Sequence, residues 1–465
     1  MSVHASTAGS APPARFTLAE ALRSARETRA LVIGRGVLAE TGRVFQEQFP
    51  GRGAVVVADE RTLALAGRTV TEALERSGVS CLAPFVFRDP SLQAEIRFVE
   101  ELEGSLRPHE AVPIAVGSGT INDLVKLAAH RAGRESYCCV ATAASMDGYT
   151  AFGASITFRG AKQTFQCPAP RAVVADIDVI RGAPAEMTAS GYADLSAKVT
   201  AGADWILADA LGVEPVDPRA WAIVQGGLRD SLADPAGVRA GTASALTPLV
   251  EGLMLGGFAM QWSRTSRPAS GAEHQFSHLW DMEHHTHNGA APSHGFKVGV
   301  ATLAVTRFYE QVLAFGWSSL NIDRCLAAWP NADAEEALVR RLFAETDFAE
   351  TAVTETRAKH ISPEELRGQL EQLKRTWPAI GERLRGQLLS SAEMQRRLEL
   401  VGAPTEPEQI GISRRRLVES FFRACCIRRR FTVLDLAVRT GTLDFLLEGF
   451  IGPRPAEATQ GAILK

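Results

Sequence analysis

Between residues 28 and 180, short continuous apolar runs alternate with amphipathic stretches. Ala30–Gly34, Gly53–Asp59, Cys81–Phe87, Val112–Gly117, Tyr137–Thr142 and Ala172–Asp176 are rich in valine and small apolar residues. Runs this short and this uniformly apolar predict strands buried on both faces, as in a parallel sheet. Helical periodicity fills the gaps, as in Leu92–Glu103 and Ile121–Ala132. The alternation predicts an α/β domain: an open parallel sheet with helices on both faces, its ligands at the carboxyl ends of the strands.

The pattern changes near residue 185. Glu186–Leu211, Pro248–Ser263, Gly299–Phe315, Ala334–Glu345, Pro363–Arg385 and Arg414–Ile427 carry helical periodicity, and strand patterns are scarce. An all-helical second domain is expected, with a hinge at Arg181-Gly182-Ala183-Pro184. The expected organisation is a disordered lead over 1–15, the α/β domain over 16–184, the helical domain over 185–452 and a tail over 453–465.

Composition narrows the function classes. The chain has 465 residues, 46% of them apolar, and a formal net charge of -3. It lacks the clustered basic excess of a nucleic-acid binder. Arg428-Arg429-Arg430 reads as a solvated helix face or an oligomer contact. No run reaches the ~18 consecutive apolar residues of a spanning helix, and the N-terminus lacks the pattern of a secretory signal. Cys138-Cys139 and Cys425-Cys426 are adjacent pairs, a spacing suited neither to disulfide frameworks nor to CxxC sites. Reduced core cysteines in a cytoplasmic protein are expected. The extensive helical surface suggests a homodimer.

Two patterns carry chemistry. The run Val112–Val116 leads into GSGTINDLVK, where Gly117 and Gly119 allow a tight turn and close approach of a phosphate to the following helix N-terminus. This is not the full GxGxxG fingerprint, since position 122 is Asn. Asp59, at the end of the second run, suits a ribose hydroxyl pair and disfavours the extra phosphate of NADP. The second pattern is histidine. Six of the ten histidines lie between His274 and His294. His274 and His278 are four apart and share a helix face. Their order, Glu-His-x-x-x-His, is not that of a metalloprotease. His294 and an upstream carboxylate, Asp194, could complete a site of two histidines and one acid with an open coordination position. A helix-pairing histidine cluster is the alternative. His284, His285 and His287 read as loop residues.

Five blocks in order, GSGTINDLVK, ATAASMDGYTAFGASIT, GYADLSAK, GAEHQFSHLWDM and HGFKVGVATL, resemble the sn-glycerol-1-phosphate dehydrogenase family, particularly its bacterial branch. That family lies within the superfamily of dehydroquinate synthases and metal-dependent group III alcohol dehydrogenases. The resemblance spans roughly residues 28 to 440. It implies NAD(P)H-dependent, metal-dependent reduction of dihydroxyacetone phosphate to sn-glycerol 1-phosphate. It implies Asp194, His274 and His294 as ligands of one divalent metal, Zn2+ ahead of Ni2+ or Fe2+. It places His278 and Asp147 at the substrate. Gly117, Ser118, Gly119, Thr120, Ile121, Thr142 and Ser145 would contact the cofactor, with Asp59 at its adenosine end.

Two positions depart from the family pattern. Ala151 stands where serine is frequent, and Phe296 where HGEKVG has its acid. They keep a second phosphorylated or phosphonate carbonyl open as substrate. A dehydroquinate-synthase-type cyclase needs several basic residues, and the metal region shows no Arg/Lys cluster. A non-catalytic binding protein is disfavoured by the intact ligand set. Lys126, Lys198 and Lys297 are the candidates for holding the substrate phosphate, Lys198 with a helix-surface ion pair as its alternative.

Overall fold

The computed structural model describes residues 16–158 and 161–451; the expected lead and tail fall outside them. Six strands form one parallel sheet: β1 (Ala30–Gly34), β2 (Ala54–Asp59), β3 (Phe85–Phe87), β4 (Val112–Gly117), β5 (Cys138–Ala141) and β8 (Ala172–Asp176). Their order is β1-β8-β5-β4-β2-β3. Alternate residues feed two separate cores, because side chains alternate across a strand. Val55, Val57, Ala115, Cys139 and Val173 join one cluster, and Val56, Ile114, Val116, Cys138 and Val174 the other. Cys138 and Cys139 therefore face opposite sides of the sheet. All seven cysteines are free, and six of them are buried.

A two-stranded antiparallel hairpin, β6 (Ala154–Phe158) with β7 (Ala161–Phe165), was not anticipated. Its signal was there: Ala154 and Ile156 are buried while Ser155 and Thr157 are half-exposed, a period of two. The third run is extended only over Phe85–Phe87, with Cys81 keeping a single bridge to Ala54.

Beyond residue 185 the described chain is helical. The helices that concern the site are α1 (Leu18–Ser24), α2 (Gly119–Arg131), α3 (Ala185–Ala210), α4 (Ala243–Ser263), α5 (Ala272–Met282), α6 (His294–Ala314) and α7 (Arg414–Cys426). Helix α3 is buried continuously from Thr188 to Ala208, so it runs through the interior of the helical half. Helix α4 is long and apolar enough to cross a membrane, but 72% of that stretch is buried inside the fold. One apolar cluster reaches from Val55 and Ala115 in the sheet to Leu195, Leu253 and Leu398 in the helices, so the two halves share a core. The N-terminal helix α1 packs its Ala21 into a small cluster with Ile223, Phe258 and Ala259.

Candidate active site

The site is assembled on α3 by two glycines. A Cβ on Gly191 would stand 1.9 Å from the carbonyl oxygen of Ala144, and one on Gly295 would stand 1.9 Å from that of Ser190. Only a residue without a Cβ lets the loop after β5 and the start of α6 come this close to α3. The loop delivers Asp147, α6 delivers His294, and α3 supplies Asp194 between them.

Asp194 is fully buried. Its Oδ1 accepts from Lys198 Nζ at 2.8 Å and lies 3.5 Å from His274 Nε2. Its Oδ2 accepts from the backbone N–H of Asp147 at 3.1 Å. Burial alone would raise the carboxyl, but Lys198, His274 and His294 outweigh it and hold Asp194 well below the usual range. Lys198 Nζ also reaches Asp147 Oδ2 at 2.7 Å, so one buried ammonium bridges two carboxylates. Burial would depress that ammonium; Asp147 and Asp194 raise it instead. Burial and then the Asp194 charge push Asp147 up.

The ligand atoms of Asp194, His274 and His294 all lie within 4.8 Å of one another. Two ligand atoms each about 2.1 Å from one ion have a spacing like the 3.5 Å between Asp194 and His274. Glu273 Oε1 lies 2.8 Å from His274 Nδ1, which directs His274 Nε2 towards Asp194. Glu273 is itself held by the N–H of Gly271 at 2.6 Å and the hydroxyl of Thr200 at 2.7 Å. A histidine with one ring nitrogen fixed by a carboxylate and the other turned to a shared centre is the arrangement a metal ligand adopts. His294 Nδ1 lies 3.4 Å from the Ser277 hydroxyl. The donor set thus fits a divalent ion held by nitrogen and oxygen.

His278 sits one turn along α5, its ring 6.3 Å from that of His274 and 6.4 Å from that of His294. Of the three other histidines of the cluster, His287 borders the cleft beside His294, and the other two are engaged elsewhere. His284 faces Asp347, His285 contacts the Ile410 carbonyl and Arg416, and the backbone of His287 pairs with Ala290.

A cleft of about 580 Å³ adjoins the triad, lined by Ser118, Gly119, Thr120, Ser145, Ser190 and His294 among others. Ser118 precedes α2 in an extended conformation, and its side chain makes no capping bond, so the first N–H groups of α2 face the cleft without a side-chain partner. Gly117 is required by Ile121, whose Cβ would lie 2.5 Å from an added Cβ. The Ile121 side chain itself is buried in the core. Thr142 is buried, its N–H bonded to the carbonyl of Gly117 at 3.1 Å. Asp59 lies at the end of β2 and caps the next turn, accepting from the Thr62 N–H at 2.7 Å.

The lysines proposed for phosphate are all committed. Lys126 donates to the carbonyls of Gly148, Ala151 and Gly153. Lys198 bridges Asp147 and Asp194, in the interior rather than on a helix surface. Lys297 pairs with Asp281. Arg428–Arg430, by contrast, follow the end of α7 and are not on a helix face. They line a cavity of about 330 Å³ together with His278. The basic cluster missing from the metal region in sequence is supplied from far downstream in the chain.

The fold is of the iron-containing alcohol dehydrogenase type, and Asp194, His274 and His294 form a candidate metal centre within it. Residues 32–184 match the family model described as "Iron-containing alcohol dehydrogenase". The glycerol dehydrogenase of Schizosaccharomyces pombe shares the fold, with a TM-score of 0.55 at 16% identity over 91% of this chain and 90% of that one. So does the NADH-dependent butanol dehydrogenase A of Thermotoga maritima, with a TM-score of 0.55 at 14% identity over 90% and 96% of the two chains. Closer in sequence is the glycerol-1-phosphate dehydrogenase [NAD(P)+] of Geobacillus stearothermophilus, 30% identical over 87% of this chain and 91% of its own length. The corresponding protein of Geobacillus thermodenitrificans is 33% identical over 69% of this chain and 76% of its own. That of Pyrococcus furiosus is 34% identical over 55% and 72%. The chain belongs to the glycerol-1-phosphate dehydrogenase family.

Proposed function

We propose that the protein catalyses the reversible, metal-dependent, NAD(P)H-linked reduction of dihydroxyacetone phosphate to sn-glycerol 1-phosphate. The observation that carries this reading is the convergence of Asp194, His274 and His294 beside the cleft built by Ser118–Thr120. Asp194, His274 and His294 hold one divalent ion, a nitrogen and oxygen donor set that suits Zn2+, Ni2+ or Fe2+. When bound, the ion supplies Lewis acidity and NAD(P)H the hydride.

The chain's own residues do the rest. Glu273 fixes the His274 ring, and Lys198 keeps Asp147 and Asp194 ordered side by side. The turn Gly117–Ile121 and the segment Thr142–Ser145 receive the cofactor, with Asp59 at its ribose favouring NAD over NADP. His278 holds the proton passed to the reduced oxygen, directly or through water. Asp147 orients the substrate. The α/β part over 16–184 carries the cofactor and the helical part over 185–452 the metal and substrate. A cytoplasmic homodimer completes the reading.

Asp194→Ala and His274→Ala are each expected to lose bound metal and turnover together, measured by elemental analysis and NADH oxidation on the same preparations. Normal metal content with a normal rate in either variant would remove the ligand assignment.

One observation favours a second reading. The arginines beside His278 supply the basic residues that a sugar-phosphate cyclase needs. Such an enzyme regenerates its NAD, so stoichiometric NADH consumption separates the two.

A further inference from the structure

The histidine cluster adjoins two cavities. The cleft over the glycine-rich turn reaches it through His294, and the 330 Å³ cavity reaches it through His278. The second cavity is walled by three consecutive arginines, and one acid, Glu355, stands among them. Glu355 is hydrogen-bonded by Arg429: its Oε1 accepts from Nη2 at 2.7 Å, and its Oε2 from Nε at 3.1 Å and from the backbone N–H at 2.8 Å. The Arg430 guanidinium meets only neutral acceptors, the Ser270 carbonyl and the Ser266 hydroxyl, both at 2.7 Å. Among the described residues neither Arg428 nor Arg430 has a carboxylate within ion-pair distance. Burial, and then the nearby charge of Arg267, push the Arg430 guanidinium down to about 9. Three guanidiniums thus share one lining carboxylate, and the cavity carries a net positive charge.

The segment is also fixed in place. The Arg430 carbonyl accepts from Gln275 Nε2 at 3.2 Å, the Phe431 carbonyl from Arg267 at 2.8 Å, and the Val433 N–H donates to Asp204 at 2.8 Å. These bonds hold the arginines against the first turns of α5, where His274 and His278 project. Guanidinium forks match phosphate oxygens in pairs, which a point-charge ammonium cannot do. The lysines nearer in sequence are spent on other partners, as described above.

We infer that this cavity is the phosphate pocket of the substrate: Arg428 and Arg430, with the Ser266 hydroxyl, bind the phosphate monoester dianion of a small phosphorylated ketone whose carbonyl lies at the Asp194–His274–His294 centre. This rests on the reductase reading above and names the part of the site that selects a phosphorylated over an unphosphorylated ketone. The arginines act on binding and on discrimination, with no part in the hydride or proton transfers.

The test uses the metal-loaded full chain and two variants. Arg428→Gln removes an exposed side chain that holds no other part of the fold. Arg430→Lys keeps the charge and loses the fork. Losing one charge-assisted contact is expected to lower kcat/KM for dihydroxyacetone phosphate roughly 10- to 100-fold. The fall for unphosphorylated dihydroxyacetone is expected to be much smaller. Inorganic phosphate, followed by 31P line broadening, is expected to bind the wild-type protein and to bind Arg428→Gln at least about tenfold more weakly. Equal falls for the two ketones would overturn the inference. So would weakened inorganic phosphate binding with unchanged dihydroxyacetone phosphate kinetics, since the cavity would then serve a free anion. If the wild type oxidises NADH with neither ketone, the reductase reading fails separately. In that case loss of phosphate binding in Arg428→Gln supports the anion pocket, and retained binding removes it.

Discussion

At the scale of single residues, the centre depends on how a few buried charges hold one another. Lys198 is fully buried, and Asp147 and Asp194 compensate its charge. An unpaired buried charge is costly, so the three groups form one unit. Glu273 plays the same part for His274. Converting its carboxylate to an amide keeps an acceptor for the Gly271 N–H and a partner for the Thr200 hydroxyl, and removes the charge that would make His274 a better ligand of the proposed metal. Glu273→Gln is expected to lower metal affinity roughly 10- to 100-fold while the protein stays folded. Competition with a chelator of known affinity measures it, and an unchanged affinity would mean that Glu273 serves the fold alone. Much at this scale was legible in sequence. A carboxylate at Asp194 within a small, apolar helical stretch demands a partner. The Glu-His-x-x-x-His spacing puts two imidazoles on one face. The destination of Lys198 was not legible, because one turn of helix allows both a surface ion pair and a buried bridge.

At the scale of elements, the sheet is read from short apolar runs because both its faces are covered, and burial on both faces removes the alternation that a half-exposed strand would show. The hairpin β6–β7 is a weak signal in the chain, because the alternation of Ala154 and Ile156 with Ser155 and Thr157 lasts only four residues. Gly191 and Gly295 look like ordinary helix residues in the chain. Their meaning lies in the backbone they touch, which no local pattern records. Gly191→Ala would favour the helix in isolation, yet its Cβ has to displace the Ala144 carbonyl. Overpacking of this kind costs about 1–3 kcal/mol. Urea denaturation is expected to show that loss. Metal content should fall with it, because the loop carrying Asp147 loses its seat beside Asp194. A variant as stable as the parent, with full metal content, would show that the contact is dispensable.

At the scale of the whole molecule, the candidate site lies where the two halves meet. The carboxyl ends of β4 and β5 present the glycine-rich turn and the Thr142–Ser145 segment. The helical half presents α3, α5 and α6, and the shared core leaves little room for them to separate. The ligand set could be proposed from sequence because its members lie in compact, patterned blocks. The arginine pocket could not. Arg428–Arg430 stand far downstream of His278, and a run of three cations reads as a solvated surface until the chain is folded around α5. The measurement that bears most directly on the central claim is NADH oxidation, followed by absorbance, on protein of known metal content, with dihydroxyacetone phosphate against dihydroxyacetone. Rapid oxidation with the phosphate ester, abolished by a chelator and restored by divalent metal, is the expected result. No oxidation by protein that holds both metal and NADH would contradict the assignment of this site as a dihydroxyacetone phosphate reductase.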